Sequence, residues 1–503
     1  MVFFSYKNKK IIKNLKNEEY IILIFLVLLA IEAKRSIPRN LKEPETTGEG
    51  ENPPEGGDNP PGPPPEGGEG GENPPGPPPS GGGDNSYNYT DYKANVTNED
   101  VGSEELIATE ADQSVAYITT NNITFTKPNL NKLSGESTNI ENSEFYGVNA
   151  AVLVQGGEVS ITGGTITTKA RGGNAICATN KGKVAISGTK IVSTAESSGR
   201  GLHATYGGQI DAANVDISST GVSCANLATD RGEGIVTCIG CQLSTTGAGS
   251  PLIYSTGQIT VNNTKGTATG AQTVVVEGKN TANILDKSEL YCYGKGNRDE
   301  IDNCGVMIYQ SMSGDAADGT GLLNCVDSTL EILKESDIYT TAPMFFVTNT
   351  KAVINLEDCR INYGSNTFLD IKGTTAWGNS GSNGGEVTLI LNNQQIKGNI
   401  TLDGISSLYI VMKNSQITGT INASKKAKSL SISLDSRSKI TLTGNSYYTS
   451  LENEVSSGDN IEKGEYTFAE YSNEGSEGGE DVKPVSKGSF IGLSMLLVLF
   501  VLF

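Results

Sequence analysis

Asp211 and Asp216 lie in one short stretch, and the only histidine of the 503-residue chain, His203, stands just upstream of them. Two carboxylates within about 10 Å can hydrolyse a glycosidic bond, one protonating the leaving oxygen while the other activates water or attacks. An imidazole beside them could carry a proton at neutral pH. This trio is the best catalytic candidate in the sequence. Solvated strand faces carry such acid pairs routinely, so no residue is assigned a catalytic role. Cys238-Ile239-Gly240-Cys241 is a solitary C-x-x-C without the βαβ setting of a redox motif. With one histidine and no second C-x-x-C, zinc lacks a ligand set, and no metal or cofactor is implied.

These residues sit inside a repeated frame: an apolar residue, another two places on, and a third five places later. It reads Val159/Ile161/Ile166, Val184/Ile186/Ile191, Ile210/Ala212/Ile217, Val236/Cys238/Leu243, Asn283/Leu285/Leu290, Leu323/Cys325/Leu330, Ile354/Leu356/Ile361, Leu389/Leu391/Ile396 and Ile410/Met412/Ile417. Ile123/Phe125/Leu130 opens the series; weaker copies start at Ile259 and at Ile432, where Ile440 comes one place late. Side chains two apart share a strand face. A step of about 25 residues is the period of a solenoid. A second apolar strand precedes each frame, as in Ala151–Val154 and Leu252–Tyr254. The fold expected is all-β, a right-handed parallel β-helix of about twelve coils over residues 123–450. Its outward column reads Thr124, Ser160, Ala185, Asp211, Thr237, Thr260, Ile284, Asn324, Asn355, Ile390, Val411 and Ser433, with one acid among them. Such a column cannot supply the two carboxylates of a glycosidase unaided.

The runs Ala228–Gly232, Gly249–Gly257, Gly305–Asp315 and Trp377–Gly385 resemble a group of secreted right-handed β-helix surface proteins of anaerobic microbes. The resemblance spans about residues 120–450 and implies a pectin-lyase-like fold and a surface location. It carries no agreed activity.

The flanks support the same location. Lysines before the apolar run Tyr20–Ile31 make residues 1–33 a secretory signal, or a signal anchor. Thirteen of the eighteen prolines fall between Pro44 and Pro79, and residues 43–83 hold nine acids and no Lys or Arg, so 34–83 reads as a disordered spacer. Residues 84–122 are expected to lead in and cap the helix, and 451–489 to form an acidic stalk. The uncharged apolar end 490–503, behind a polar spacer and small residues, fits a lipid-anchor signal with attachment at Ser476; a C-terminal membrane helix is the alternative. Sequons at Asn88, Asn95, Asn122, Asn262, Asn399 and Asn422 agree with secretion. So does the even count of eight cysteines. Cys292 and Cys304 bracket a polar loop and are expected to bridge, whereas Cys238 and Cys325, three coils apart, are too distant to bond each other.

A net charge of -19 with no basic patch removes the electrostatic basis for binding nucleic acid. The expected partners are glycans or neighbouring cell surfaces, with the membrane reached through the anchor. Two functions compete: a non-catalytic surface protein that adheres through polar strand faces, and a polysaccharide lyase or hydrolase of the same fold.

Overall fold

The computed structural model describes residues 92–296 and 303–472. The signal, the spacer, Asn88, Ser476 and the apolar end therefore lie outside the described residues. Within them the chain is a parallel β-helix. Most coils run through strands of three stacked sheets, called here A, B and C in their order along a coil, with twelve, thirteen and ten strands respectively. Four further strands continue the stack beyond C. All sheet pairings are parallel, and one coil's strand bonds to the next coil's: Val159 stands opposite Val184, Val184 opposite Ile210, and Ile210 opposite Val236. Backbone donors and acceptors are thus satisfied between coils rather than within them.

The interior is what the alternation requires. Val159, Ile161 and Ile166 are at most 1 % exposed, and their counterparts on the adjacent coils are buried too, save half-buried Ile123 beside Val159. Burying one such side chain contributes roughly 1.5–3 kcal/mol. Gly266 fills the third slot of its coil, and Leu252 Cδ1 would lie 2.6 Å from any Cβ added there.

The corner between B and C is the most regular part of the chain. Two residues separate the strands at nearly every coil. The first is left-handed: Gly163 (φ 67), Gly188 (φ 61), Asn214 (φ 53), Gly240 (φ 66), Asn263 (φ 46), Asp327 (φ 46), Asp358 (φ 52) and Asn393 (φ 49). Glycine pays no Cβ penalty there, and Asn and Asp tolerate the region best among the rest. Each donates its N–H to the coil above, as in Gly188 N to Ala213 O (3.0 Å), Asn214 N to Ile239 O (2.8 Å) and Gly240 N to Asn262 O (2.9 Å). The second residue is buried and often bears an oxygen that accepts the N–H from the preceding coil: Thr264 N to Ser288 Oγ (3.2 Å), Gln394 N to Ser415 Oγ (3.0 Å), Ser415 N to Ser438 Oγ (3.1 Å).

Three expectations require correction. The inward pair of the coil whose frame was placed at Asn283 is Ala282 and Ile284, opposite Ile259 and Val261; Asn283 and Leu285 point outward. The corner there holds three residues, Asp286 to Ser288, so a constant five-residue step misplaces the strand by one. Around Ile432 the corner is longer again, and Ile440, opposite Ile417, is the true interior residue. Coils also extend past both expected limits. Lys93–Thr97 and Gln113–Ile118 pair in sheet A, and Glu105–Ala108 pairs with Asn129–Lys132 in C. At the far end, Ser450–Asn453 joins B, and Phe468–Glu470 pairs with Ser446–Tyr448. Their inward positions are poorer in Ile and Leu, which hid them from an apolar frame. Among the described residues no helix is long and apolar enough to cross a membrane.

Candidate functional site

The three residues singled out for catalysis do not meet. Asp211 is exposed on a sheet B strand, where its Oδ2 accepts from Gln209 Nε2 at 2.9 Å. Asp216 is exposed on a sheet C strand, beyond the Asn214–Val215 corner. His203 is fully buried in sheet A between Cys177 and Ala228 of the adjacent coils. Its two ring nitrogens have no hydrogen-bond partner. Burial, reinforced by the Arg200 charge, holds its pKa well below the ordinary imidazole value, so the ring is neutral.

What the fold assembles instead is a covered polar layer on the outer face of sheet A. The helix Ile140–Tyr146 begins where Asn139 accepts from Glu141 N and ends at left-handed Gly147. It lays Phe145 and Tyr146 over the sheet, and Tyr146 stacks on Tyr206 with ring centroids 5.4 Å apart. Beneath it, Arg200 Nη2 reaches Glu144 Oε1 at 3.3 Å and Asp230 Oδ2 at 3.4 Å. Arg231 lies with its guanidinium carbon 3.8 Å from the Phe145 ring centroid and sends Nε to Asp315 Oδ1 at 3.0 Å. Burial pushes the Asp230 carboxyl up to about 8 despite the attraction of Arg200.

Further along the face, Glu277 is 1 % exposed and accepts from Tyr254 Oη (2.7 Å), Tyr309 Oη (2.9 Å), Ser311 N (3.3 Å) and the Ser311 hydroxyl. Its pKa is raised by burial, against those hydroxyl donors. Trp377 closes the layer over Val275, Met307 and Phe346, with its ring 5.0 Å from that of Tyr309. Asp230 and Glu277 are thus withdrawn from solvent, whereas glycoside hydrolysis needs a carboxylate that meets both sugar and water. The layer fastens the cover to the sheet. A signal for it exists in the sequence: a glutamate ends the apolar run Val274–Val276, and Asp230 follows Leu227–Thr229 directly.

The open faces are of another kind. On sheet B the outward asparagines form a ladder, Asn283 Nδ2 to Thr260 Oγ1 (3.1 Å), Asn324 Nδ2 to Asn283 Oδ1 (3.4 Å) and Asn355 Nδ2 to Asn324 Oδ1 (2.8 Å). At the B–C edge an open groove of about 500 Å³ is lined by Asp358, Asn393, Gln395, Asn414, Gln416, Arg437 and Lys439. Asn414 Nδ2 donates to Asn393 Oδ1 (2.5 Å), and Asn393 Nδ2 to Asp358 Oδ2 (3.4 Å). Beside it, Asp435 accepts from Asn414 N at 3.1 Å and Ser438 Oγ at 2.6 Å. Partial burial acts against the charge of Asp435, and these donors overcome it, leaving the carboxyl below its usual range. Amides offering both donor and acceptor suit a hydroxyl-rich ligand, and the rim cations are each paired with a carboxylate, Arg437 Nη2 with Asp435 Oδ2 (3.7 Å) and Lys439 Nζ with Glu462 Oε1 (2.5 Å). Asn393-Gln394-Gln395 and Asn414-Ser415-Gln416 are in register, and the recurrence of Gln two places after Asn is the sequence signal for this groove.

Of the sequons, Asn95 and Asn122 are exposed and Asn262 and Asn399 half-buried. Asn422 is fully buried. Its Oδ1 accepts from Lys426 N (3.0 Å) and Ala427 N (3.2 Å), and its Nδ2 bonds Tyr471 Oη (3.0 Å), so it has no room for a glycan. The expected Cys292–Cys304 bridge is also absent among the described residues. Cys292 ends a sheet C strand and packs in the interior core, its sulfur 3.8 Å from Gly305 O, whereas Cys304 packs in the separate cluster under Trp377.

Comparison of the chain with protein-family models, curated proteins and solved structures finds no match.

Proposed function

We propose that this chain is a non-catalytic cell-surface protein that binds glycans or a neighbouring cell through its β-helix, in the manner of secreted pectin-lyase-like surface proteins. The observation that carries the reading is the division of polar groups. The carboxyls gathered on sheet A lie under a cover, whereas the groove between Asp358 and Lys439 presents side-chain amides and ion-paired cations to solvent. Sugar hydroxyls exchange hydrogen bonds with side-chain amides in both directions, and Arg437 can take a glycan carboxylate in a bidentate fork. The signal, spacer and anchor expected from the termini would hold this surface away from the membrane.

The test is a glycan array on the secreted protein, run beside reducing-sugar and unsaturated-product assays. Saturable binding without turnover is expected, with affinity falling on the order of tenfold in Asn393→Ala and Arg437→Ala, the loss of one or two such bonds. Product release that disappears in Asp211→Ala or Asp216→Ala would overturn the proposal in favour of a polysaccharide lyase or hydrolase.

A further inference from the structure

Cys325 occupies the second inward slot of the strand Thr320–Val326, between Ile284 of one coil and Leu356 of the next. Cys359 is the buried residue of the following B–C corner, directly after left-handed Asp358. The two sulfurs are 3.0 Å apart, across 34 residues of chain. Other coils place Ser or Thr at that corner, as at Thr264, Ser288, Ser328 and Ser415. A corner serine donates to a carbonyl of its own coil, as Ser328 Oγ does to Val326 O (2.8 Å) and Ser415 Oγ to Lys413 O (2.8 Å). The Cys359 sulfur makes the equivalent contact to Glu357 O (3.3 Å) and, unlike those serines, also lies against the Cys325 thiol. The same two slots hold Cys238 and Cys241 within one coil, with their thiols again in contact.

We propose that Cys325 and Cys359 form a disulfide that ties consecutive coils together at the B–C corner. Approach of the sulfurs by about 1 Å gives the bond length of ~2.05 Å. The reaction is an exchange with an external disulfide such as glutathione disulfide. The Cys359 thiolate attacks one sulfur of the oxidant and releases one thiol. The Cys325 thiolate then attacks the Cys359 sulfur of the mixed disulfide and releases the second. Two protons leave the protein thiols and appear on the two released thiols. Two electrons pass from the pair to the oxidant. The hydrogen bond between the two thiols lowers the pKa of Cys359 against the effect of burial and raises that of Cys325, which selects Cys359 as the first nucleophile.

The full chain is expressed through a secretory route, equilibrated with glutathione disulfide, denatured with an alkylating agent present, and digested without reductant. A peptide linking Cys325 to Cys359 is expected. Reduction should lower the melting temperature by on the order of 5 °C. Cys359→Ser, which restores the residue type of neighbouring corners, should remove that reductant sensitivity and leave Cys325 alkylated; Cys325→Leu provides the reciprocal variant. Recovery of both cysteines fully alkylated from folded wild-type protein would overturn the proposal. So would a reductant-induced shift that persists unchanged in either variant.

Discussion

Asp230 Oδ2 and Arg200 Nη2 face each other at 3.4 Å, with side chains only 5 % and 8 % exposed. An acid and a base so placed are held by the cover of sheet A rather than by water. Their ionisation is therefore part of the stability of the fold.

Burial raises the Asp230 pKa from 3.8 to about 8. A carboxyl with its folded pKa above the unfolded one favours the folded state fully at low pH. That contribution is lost as pH rises through the folded value. Between pH 4 and 8 the wild type should lose a few kcal/mol through this group, and Asp230→Asn should flatten the slope. Urea midpoints across that range are the measurement. A wild type and variant with parallel pH profiles would show that Asp230 is ionised in the fold.

His203 has the opposite sign. Its folded pKa lies well below 6.5. The unfolded chain takes up a proton as pH falls below about 6.5, and stability falls with it. His203→Leu should be more resistant than the wild type at pH 5, by about 1 kcal/mol or more, because an unsatisfied buried imidazole is also removed. Imidazole NMR shifts followed from pH 8 to 5 give the direct check: they should stay those of the neutral ring while the protein is folded.

The strand frame predicts contrasting neighbours. Ile186 is 2 % exposed, so Ile186→Asp puts a carboxylate into the stack and should cost at least about 3–5 kcal/mol, whereas Ser187→Asp should be tolerated. At the displaced coil the pair is Ile284→Asp, disruptive, against Asn283→Asp, tolerated. Secretion yield and melting temperature decide both, and equal yields within either pair would refute the register.

Gly188 is left-handed, with nothing within 4 Å of an added Cβ, so only its backbone conformation restricts it. Gly188→Asn should be nearly neutral, matching Asn214 at the next coil. Gly188→Val should cost about 1–2 kcal/mol, because a β-branched residue resists positive φ. Denaturant midpoints of the two variants test this, and equal costs would contradict it.

The coil was legible because its signal is local. Val159, Ile161 and Ile166 announce two strands and a corner within eight residues. Asn283/Leu285 was misread because one extra corner residue changed the phase while Leu285 supplied an apolar match. The layer over sheet A was not legible as a site. Glu144, Arg200, Asp230 and Asp315 come from separate coils and excursions, and only the fold makes them neighbours. His203 looked like a catalyst beside Asp211 because sequence distance cannot say which of three sheets a residue joins. The groove was missed for a related reason: Asn393 and Asn414 read as ordinary turn residues until stacking aligns them.

The constant B–C corner also sets the unit in which such a chain can be inherited. An insertion there would break the bond each left-handed residue makes to the next coil, while the longer excursions near Ile140, Ser311 and Trp377 lie outside it. Duplication or excision between equivalent corners would leave every neighbouring strand in phase. Removing Asn214 through Ile239 would join Ala213 to Gly240, one left-handed residue replacing another, and yield a shorter rod with the same groove at its far end.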